Sequence, residues 1–292
     1  MRLVVFIVIV VMMSCTKDIE IDQVSYQTKI VVDGWIENDG RAHVLLTRSS
    51  PFLTDYDSAS IRNTFLNYAK VVLIAGNGQS EILTLTKQDA FFPPFVYKST
   101  EIKGEVGETY QLEVHYQNKI ITSTTTIPEL PNVNDVFAQS VSDTSMIINA
   151  SVIDDGANKN YYYSQILTKH FDTRYHPSDN PLRNDRLFNG KEHVFQIKRS
   201  NQPDPLNLYN INSERNIIAD EFAIDDTVFV KVSQIDEEAY RVLNGIYIDH
   251  LSQNNPFSLV DQQTHSNING GIGRWTGLAT QQYTVHNTKP HN

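Results

Sequence analysis

The side chains able to do chemistry here are one cysteine, nine histidines and 34 carboxylates. Cys15 is alone, so it cannot form an internal disulfide, and in an exported chain a free thiol would be a liability. The chemistry left to it is attachment. No Gly-x-Ser-x-Gly turn presents a serine nucleophile. His170 and His176 lack the spacing and neighbours of a zinc site. Asp154-Asp155 and Asp225-Asp226 offer oxygen ligands to calcium, but aspartates equally close turns at strand ends. Gly270-Gly271-Ile272-Gly273 leads into a strand-like segment rather than a helix, which is the wrong context for cradling phosphate. Carboxylate pairs for glycoside chemistry cannot be picked from sequence alone. No catalytic residue, metal or cofactor is therefore expected, and the chain reads as a non-enzyme.

The segment before Cys15 supports attachment. Arg2 supplies a positive start, and Leu3 through Met13 is an unbroken apolar run followed by Ser14. A membrane-spanning helix needs about 20 apolar residues, so this run is too short to span and has the length of a signal-peptide core. Met12-Met13-Ser14-Cys15 resembles the bacterial lipobox, with residues 1–14 removed and lipid placed on Cys15. Several acyl chains anchor firmly where a single one does not. Residues 15–27 read as the lipidated tether. Within it, Lys17, Asp18 and Glu20 resemble the short lysine-plus-acidic export signal that sends Bacteroidetes lipoproteins to the outer face of the outer membrane. The alternative is a plain solvated tether on the periplasmic face. A formal net charge of −10 with no run of basic residues argues against nucleic acid and against peripheral binding to anionic lipid.

The remainder must fold into elements that carry whatever site exists. Lys29–Ile36 and His43–Thr47 are apolar and β-branched. Val71–Ala75 and Ile82–Leu85 flank Gly76-Asn77-Gly78, a strong hairpin signal. Tyr110, Leu112, Val114 and Tyr116 alternate with Gln111, Glu113 and His115, as a half-buried strand requires. Lys119–Thr126 follows after a turn. This spacing predicts an immunoglobulin-like β-sandwich over residues 28–127. Pro128 and Pro131 mark a junction. A second β-rich domain is predicted over 128–286, with strands at Met146–Ile153, Tyr161–Thr168, Val194–Lys198 and Thr227–Ile235, and a tail over 287–292. One helix is predicted near 236–251, capped by Asp236, with Tyr240, Leu243, Tyr247 and Leu251 as its apolar stripe. The fold class is mainly β.

Three other segments are candidate binding features. Phe91-Phe92-Pro93-Pro94-Phe95 reads as a stiff apolar loop. Phe91, Phe92 and Phe95 are either an exposed partner-binding patch or a cover on the end of the sandwich. Tyr161-Tyr162-Tyr163 fits sugar stacking, or a core strand that buries at least one ring. His170–Gly190 and Asn201–Asn212 read as long polar loops, which are functional or disordered when they exceed about 12–15 residues.

Several elements align with one family. They are the Cys15 context, the Lys29–Ile36 strand, the Pro128–Pro131 junction, Asn255-Pro256-Phe257 after the helix, and Ser266-Asn267-Ile268-Asn269-Gly270-Gly271-Ile272-Gly273. Together they resemble the Bacteroidetes outer-membrane lipoprotein family known as domain of unknown function 4249. From the residues themselves, Asn267, Gly270, Gly271 and Gly273 read as a structural turn fixing the last strand. The resemblance implies a non-catalytic surface lipoprotein, accessory to a TonB-dependent outer-membrane transporter in nutrient capture. The alternative is an independent carbohydrate-binding or adhesion lipoprotein.

Overall fold

The structure is a computed structural model that describes residues 27–49, 62–89, 93–199, 220–253 and 265–287. The expectations for Cys15, Lys17, Asp18, Glu20, Phe91, Phe92, the 201–212 loop and Asn255-Pro256-Phe257 lie outside the described residues. In chain order the strands are β1 (Ile30–Glu37), β2 (Arg41–Arg48), β3 (Lys70–Ala75), β4 (Ser80–Ile82), β5 (Thr84–Lys87), β6 (Phe95–Lys103), β7 (Thr109–Tyr116) and β8 (Lys119–Thr126). They continue as β9 (Val133–Ser140), β10 (Ser145–Ile153), β11 (Tyr161–Thr168), β12 (His176–Asn184), β13 (Glu192–Ile197), β14 (Phe222–Ala223), β15 (Thr227–Ile235) and β16 (Ile272–His286). The helix α1 (Glu237–Gln253) lies between β15 and β16. The chain is mainly β, as the strand patterns predict.

The strands form an eight-stranded sheet in the order β12-β11-β15-β16-β1-β2-β6-β5. Two four-stranded sheets pack on it: β4-β3-β7-β8 over one half, and β9, β10, β13 and β14 over the other. Side chains alternate along a strand, so parity shows which face is covered. Val32 and Ile36 on β1, Val44 and Leu46 on β2, and Trp275 on β16 join the first core. Tyr162 and Ile166 on β11, Val228, Val230 and Val232 on β15, and Val285 on β16 join the second. Trp275 and Val285 have the same parity on one strand. Both small sheets therefore cover the same face of the long sheet.

The fifteen-residue β16 joins the halves. Its first half pairs parallel with β1, Val31 opposite Ile272 through Glu37 opposite Leu278. Its second half pairs antiparallel with β15. Most of the first apolar cluster precedes Pro128, and the second follows Pro131. Residues 272–279, however, read from sequence as part of the C-terminal domain, contribute Trp275 and Ala279 to the N-terminal core. The reason is geometric: Gly34 lies opposite Trp275 and leaves room for the indole, since a Cβ there would sit 2.8 Å from the ring.

The Asn267–Gly273 segment fastens this strand. Asn267 Oδ1 accepts from the Trp275 N–H at 2.9 Å, and its Nδ2 donates to the Trp275 carbonyl at 2.7 Å. Gly273 has φ +115, and a Cβ there would overlap the Val32 carbonyl oxygen. Gly270, at φ +80, and Gly271 pass less closely by β8 and β1, where a Cβ would sit 3.2 Å from the Ile120 carbonyl oxygen and 2.8 Å from that of Ile30.

The 170–190 segment is not a loop. It contains β12 and a single 3-10 turn (Asp185–Leu187). Pro177 and Pro181 masked the strand in the sequence. They are tolerated because β12 is the edge of the long sheet, where a missing ladder donor costs little. Phe95 is likewise not in a loop. It opens β6, is half-buried, and stacks on Phe65 with centroids 5.7 Å apart.

Candidate functional site

The face of the long sheet opposite the two cores is partly covered by α1. Asp236 caps the helix, its Oδ1 accepting from the Ala239 N–H at 2.6 Å. Ala239 and Leu243 then pack on Tyr163, Ile235 and Leu278, with Tyr240 and Tyr247 beside them. The tyrosine run resolves by parity. Tyr162 enters the core, where its hydroxyl meets Asp154 at 3.0 Å, while Tyr161 and Tyr163 face the other way, Tyr161 against Tyr240 with centroids 4.8 Å apart.

Beside α1 the uncovered part of this face forms a cleft of about 380 Å³. Its floor is built from alternating positions: Trp35 and Glu37 of β1, His43 of β2, Lys98 of β6, Gln165 of β11, Lys231 of β15, and Arg274, Thr276 and Leu278 of β16. Arg174, Tyr175 and Pro177, around the start of β12, wall one side, and Leu243 of α1 contributes another. The sequence offered the 170–190 segment, which holds Arg174, Tyr175 and Pro177, as a candidate for binding, but it assigned no site role to the floor residues. The available signal was β1 itself, which reads Asp33-Gly34-Trp35-Ile36-Glu37 and buries one face while loading the other with a tryptophan and two acids.

Two ion pairs cross the floor. Lys231 Nζ lies 2.7 and 2.8 Å from the two Glu37 carboxylate oxygens, and 4.6 Å above the Tyr175 ring. Arg274 Nε donates to Asp33 Oδ1, its register partner across the β1–β16 ladder. His43 stacks on Trp35 with centroids 5.0 Å apart and planes 2° from parallel. Burial holds the His43 imidazole below the usual histidine range, and the Lys98 and Lys231 ammoniums add to this. His43 Nδ1 lies 2.9 Å from the Arg41 carbonyl. A carbonyl only accepts, so Nδ1 carries the proton and Nε2 is left as an acceptor. Burial, with Glu37 nearby, pushes the Tyr175 phenol up to about 12.

Two polar atoms here are buried without a hydrogen-bond partner among the described residues, Asp33 Oδ2 and Thr276 Oγ1. Thr276 lines the cleft and is 2 % exposed. A buried, unsatisfied hydroxyl costs about 1–3 kcal/mol unless something bound there completes it. The arrangement therefore suits holding a polar molecule against aromatic surface.

The other candidates do different work. Asp154 is buried and accepts from Asn160, Tyr162 and the Gly156 and Gly190 amides. Asp226 pairs with Arg199 at 3.4 Å. His170 is exposed, and His176 is buried beside Asp172 at 3.2 Å. Among the described residues no group of three or more His, Cys, Asp or Glu could hold a metal, and no helix is long and apolar enough to cross a membrane. The sequence has no basic run, yet the ends of β1, β2 and the β7–β8 turn gather Lys29, Arg48 and Lys119 around a second hollow.

Comparison with solved structures gives a likeness to a crystal structure of a DUF4785 family protein from Legionella pneumophila. It is 16 % identical, with a TM-score of 0.22, covering 72 % of this chain and 51 % of that one. The chain thus spans about half the length of that protein, and at this score the likeness carries no structural argument. No curated protein matches the chain. A family model described as Domain of unknown function (DUF4249) matches residues 16–284, nearly the whole chain, and the protein belongs to that family.

Proposed function

We propose that this protein is a non-catalytic surface lipoprotein, held in the outer membrane through lipid on Cys15, that captures a small ligand for a TonB-dependent transporter. The observation that carries the capture role is the cleft. It is a walled hollow with aromatic surface, paired charges and an unsatisfied buried hydroxyl, a combination typical of small-molecule sites. The anchor rests on the short apolar run before Ser14-Cys15, and the outward address on Lys17, Asp18 and Glu20. The transporter rests on the resemblance to Bacteroidetes surface lipoproteins.

The second reading, an independent carbohydrate-binding or adhesion lipoprotein, is favoured by Trp35, Tyr163 and Tyr175 lining one hollow. The two are separated by affinity purification of the tagged chain from outer membranes, alongside a glycan array. An accessory subunit brings a transporter down with it. A stand-alone binder comes down alone and retains glycans. Labelling with a radioactive fatty acid tests the anchor, which is wrong if Cys15→Ser keeps the label.

A further inference from the structure

The cleft also restricts the chemistry of its ligand. In a chain of net charge −10, its lining holds four cations, Lys98, Arg174, Lys231 and Arg274, against one carboxylate, Glu37. Lys231 is matched by Glu37, and Arg274 by Asp33 just behind the lining. Lys98 is half-buried and close enough to His43 to bear on its charge. It makes no ion pair among the described residues. A partly desolvated ammonium without a counter-charge favours a ligand that brings one, because a charge-assisted hydrogen bond then replaces lost hydration.

The rest of the lining describes the body attached to that charge. Trp35, stacked on His43, and Tyr175, beneath the Lys231 ammonium, bring aromatic surface to the lining. Thr276 Oγ1 is buried and unsatisfied, and the half-buried Gln165 amide makes no side-chain hydrogen bond among the described residues. A purely apolar acid would leave both polar groups unmet, at a cost in affinity. A phosphate is typically gripped by converging backbone N–H groups at a helix N-terminus or glycine-rich turn. The floor here is strand, its backbone groups committed to the sheet ladders. A sugar ring carries hydroxyls around its rim and an apolar C–H face. The volume, near the lower end of the ~300–1,000 Å³ of small-molecule sites, admits about one or two such rings.

We propose that the cleft binds an acidic saccharide, a sugar ring bearing a carboxylate, with the carboxylate at Lys98, ring hydroxyls at Thr276 and Gln165, and the C–H face against the aromatic side chains. This rests on the capture-site reading above and gives it a ligand class.

The test uses the full mature chain in detergent and follows Trp35 fluorescence and heat of binding. The probes are galacturonic acid and glucuronic acid disaccharides, the corresponding neutral galactose and glucose disaccharides, and inorganic phosphate. An acidic disaccharide is expected to bind at least about tenfold more tightly than its neutral counterpart. That preference should shrink with added salt and disappear in Lys98→Gln, whose unfolding curve should match the wild type. Thr276→Val should weaken both sugars alike. Equal affinity for acidic and neutral sugars, competition by phosphate, or an unchanged preference in Lys98→Gln overturns the assignment. Trp35-dependent binding of neutral sugars alone overturns it while leaving the capture role standing. If no sugar binds, the ligand class is wrong, and the capture role is then judged by whether a transporter co-purifies.

Discussion

Replacing Glu37 by Gln and Lys231 by Met, singly and together, measures how firmly the two halves are joined across the cleft floor. The residues sit 194 positions apart, one on β1 and the other on β15, separated by β16. At the observed 2.7–2.8 Å, the gross attraction is about 1.5 kcal/mol in a water-like medium and about 6 kcal/mol at the effective dielectric of a protein surface. Their side chains are 16 % and 22 % exposed, so desolvation takes back part of this without the full penalty of a buried pair. A coupling energy of about 1–3 kcal/mol follows, above the ~0–1 kcal/mol of an exposed pair. Each single variant should lose more than the pair is worth, because the partner is left charged in a half-closed hollow. Urea unfolding of the four proteins, read by circular dichroism, gives the cycle. Additivity within about 0.5 kcal/mol would show that the pair carries no net weight, and the reasoning would fail.

The remaining predictions concern the seam and its charge. Trp275→Ala should cost about 3–5 kcal/mol, because the fully buried indole leaves a cavity and its Nε1–H no longer meets the Tyr110 carbonyl at 2.9 Å; a loss in urea unfolding below about 1 kcal/mol would contradict that placement. Gly273→Ala should prevent β16 from docking, whereas Gly78→Ala, at φ +89 with nothing near its missing Cβ, should cost only about 1–2 kcal/mol of backbone strain. Equal yields and melting points for those two variants would refute the close approach to Val32. The lowered His43 pKa means that the unfolded chain takes up the proton first. The stability of the neutral form is therefore complete above the ordinary value of about 6.5 and declines as pH falls below it toward the folded value. The wild type should lose more urea resistance than His43→Gln between about pH 7 and pH 5, and parallel losses would count against a buried, neutral imidazole.

What the sequence disclosed was local. The hairpin at Asn77-Gly78 is visible because only a positive φ closes it, and the structure has Gly78 at φ +89 with the Gln79 N–H donating to Asn77 Oδ1 at 2.9 Å. The helix after Asp236 announced itself by its cap and stripe. Strand β12 was hidden by Pro177 and Pro181, because whether a strand tolerates proline depends on its place in the sheet, which no local pattern contains. The parallel pairing of β1 with β16 was hidden for the same reason. Its clearest trace, a glycine at 34 matched to a tryptophan at 275, is a size complementarity across the whole chain.

The cleft was the least legible feature, and its position explains why. Its floor takes one or a few residues from each of six strands, and on any single strand they look like an ordinary solvent face. Their common property appears only once β16 brings the halves side by side. Both ion pairs of the floor then span the seam: Asp33 on β1 with Arg274 on β16, and Glu37 on β1 with Lys231 on β15. The charges that join the halves are therefore the charges that shape the site, and a ligand drawn to Lys98 would lie across that junction. Binding energy spent there stabilises the assembled seam by mass action, so occupancy of the cleft should raise the unfolding midpoint of both halves together.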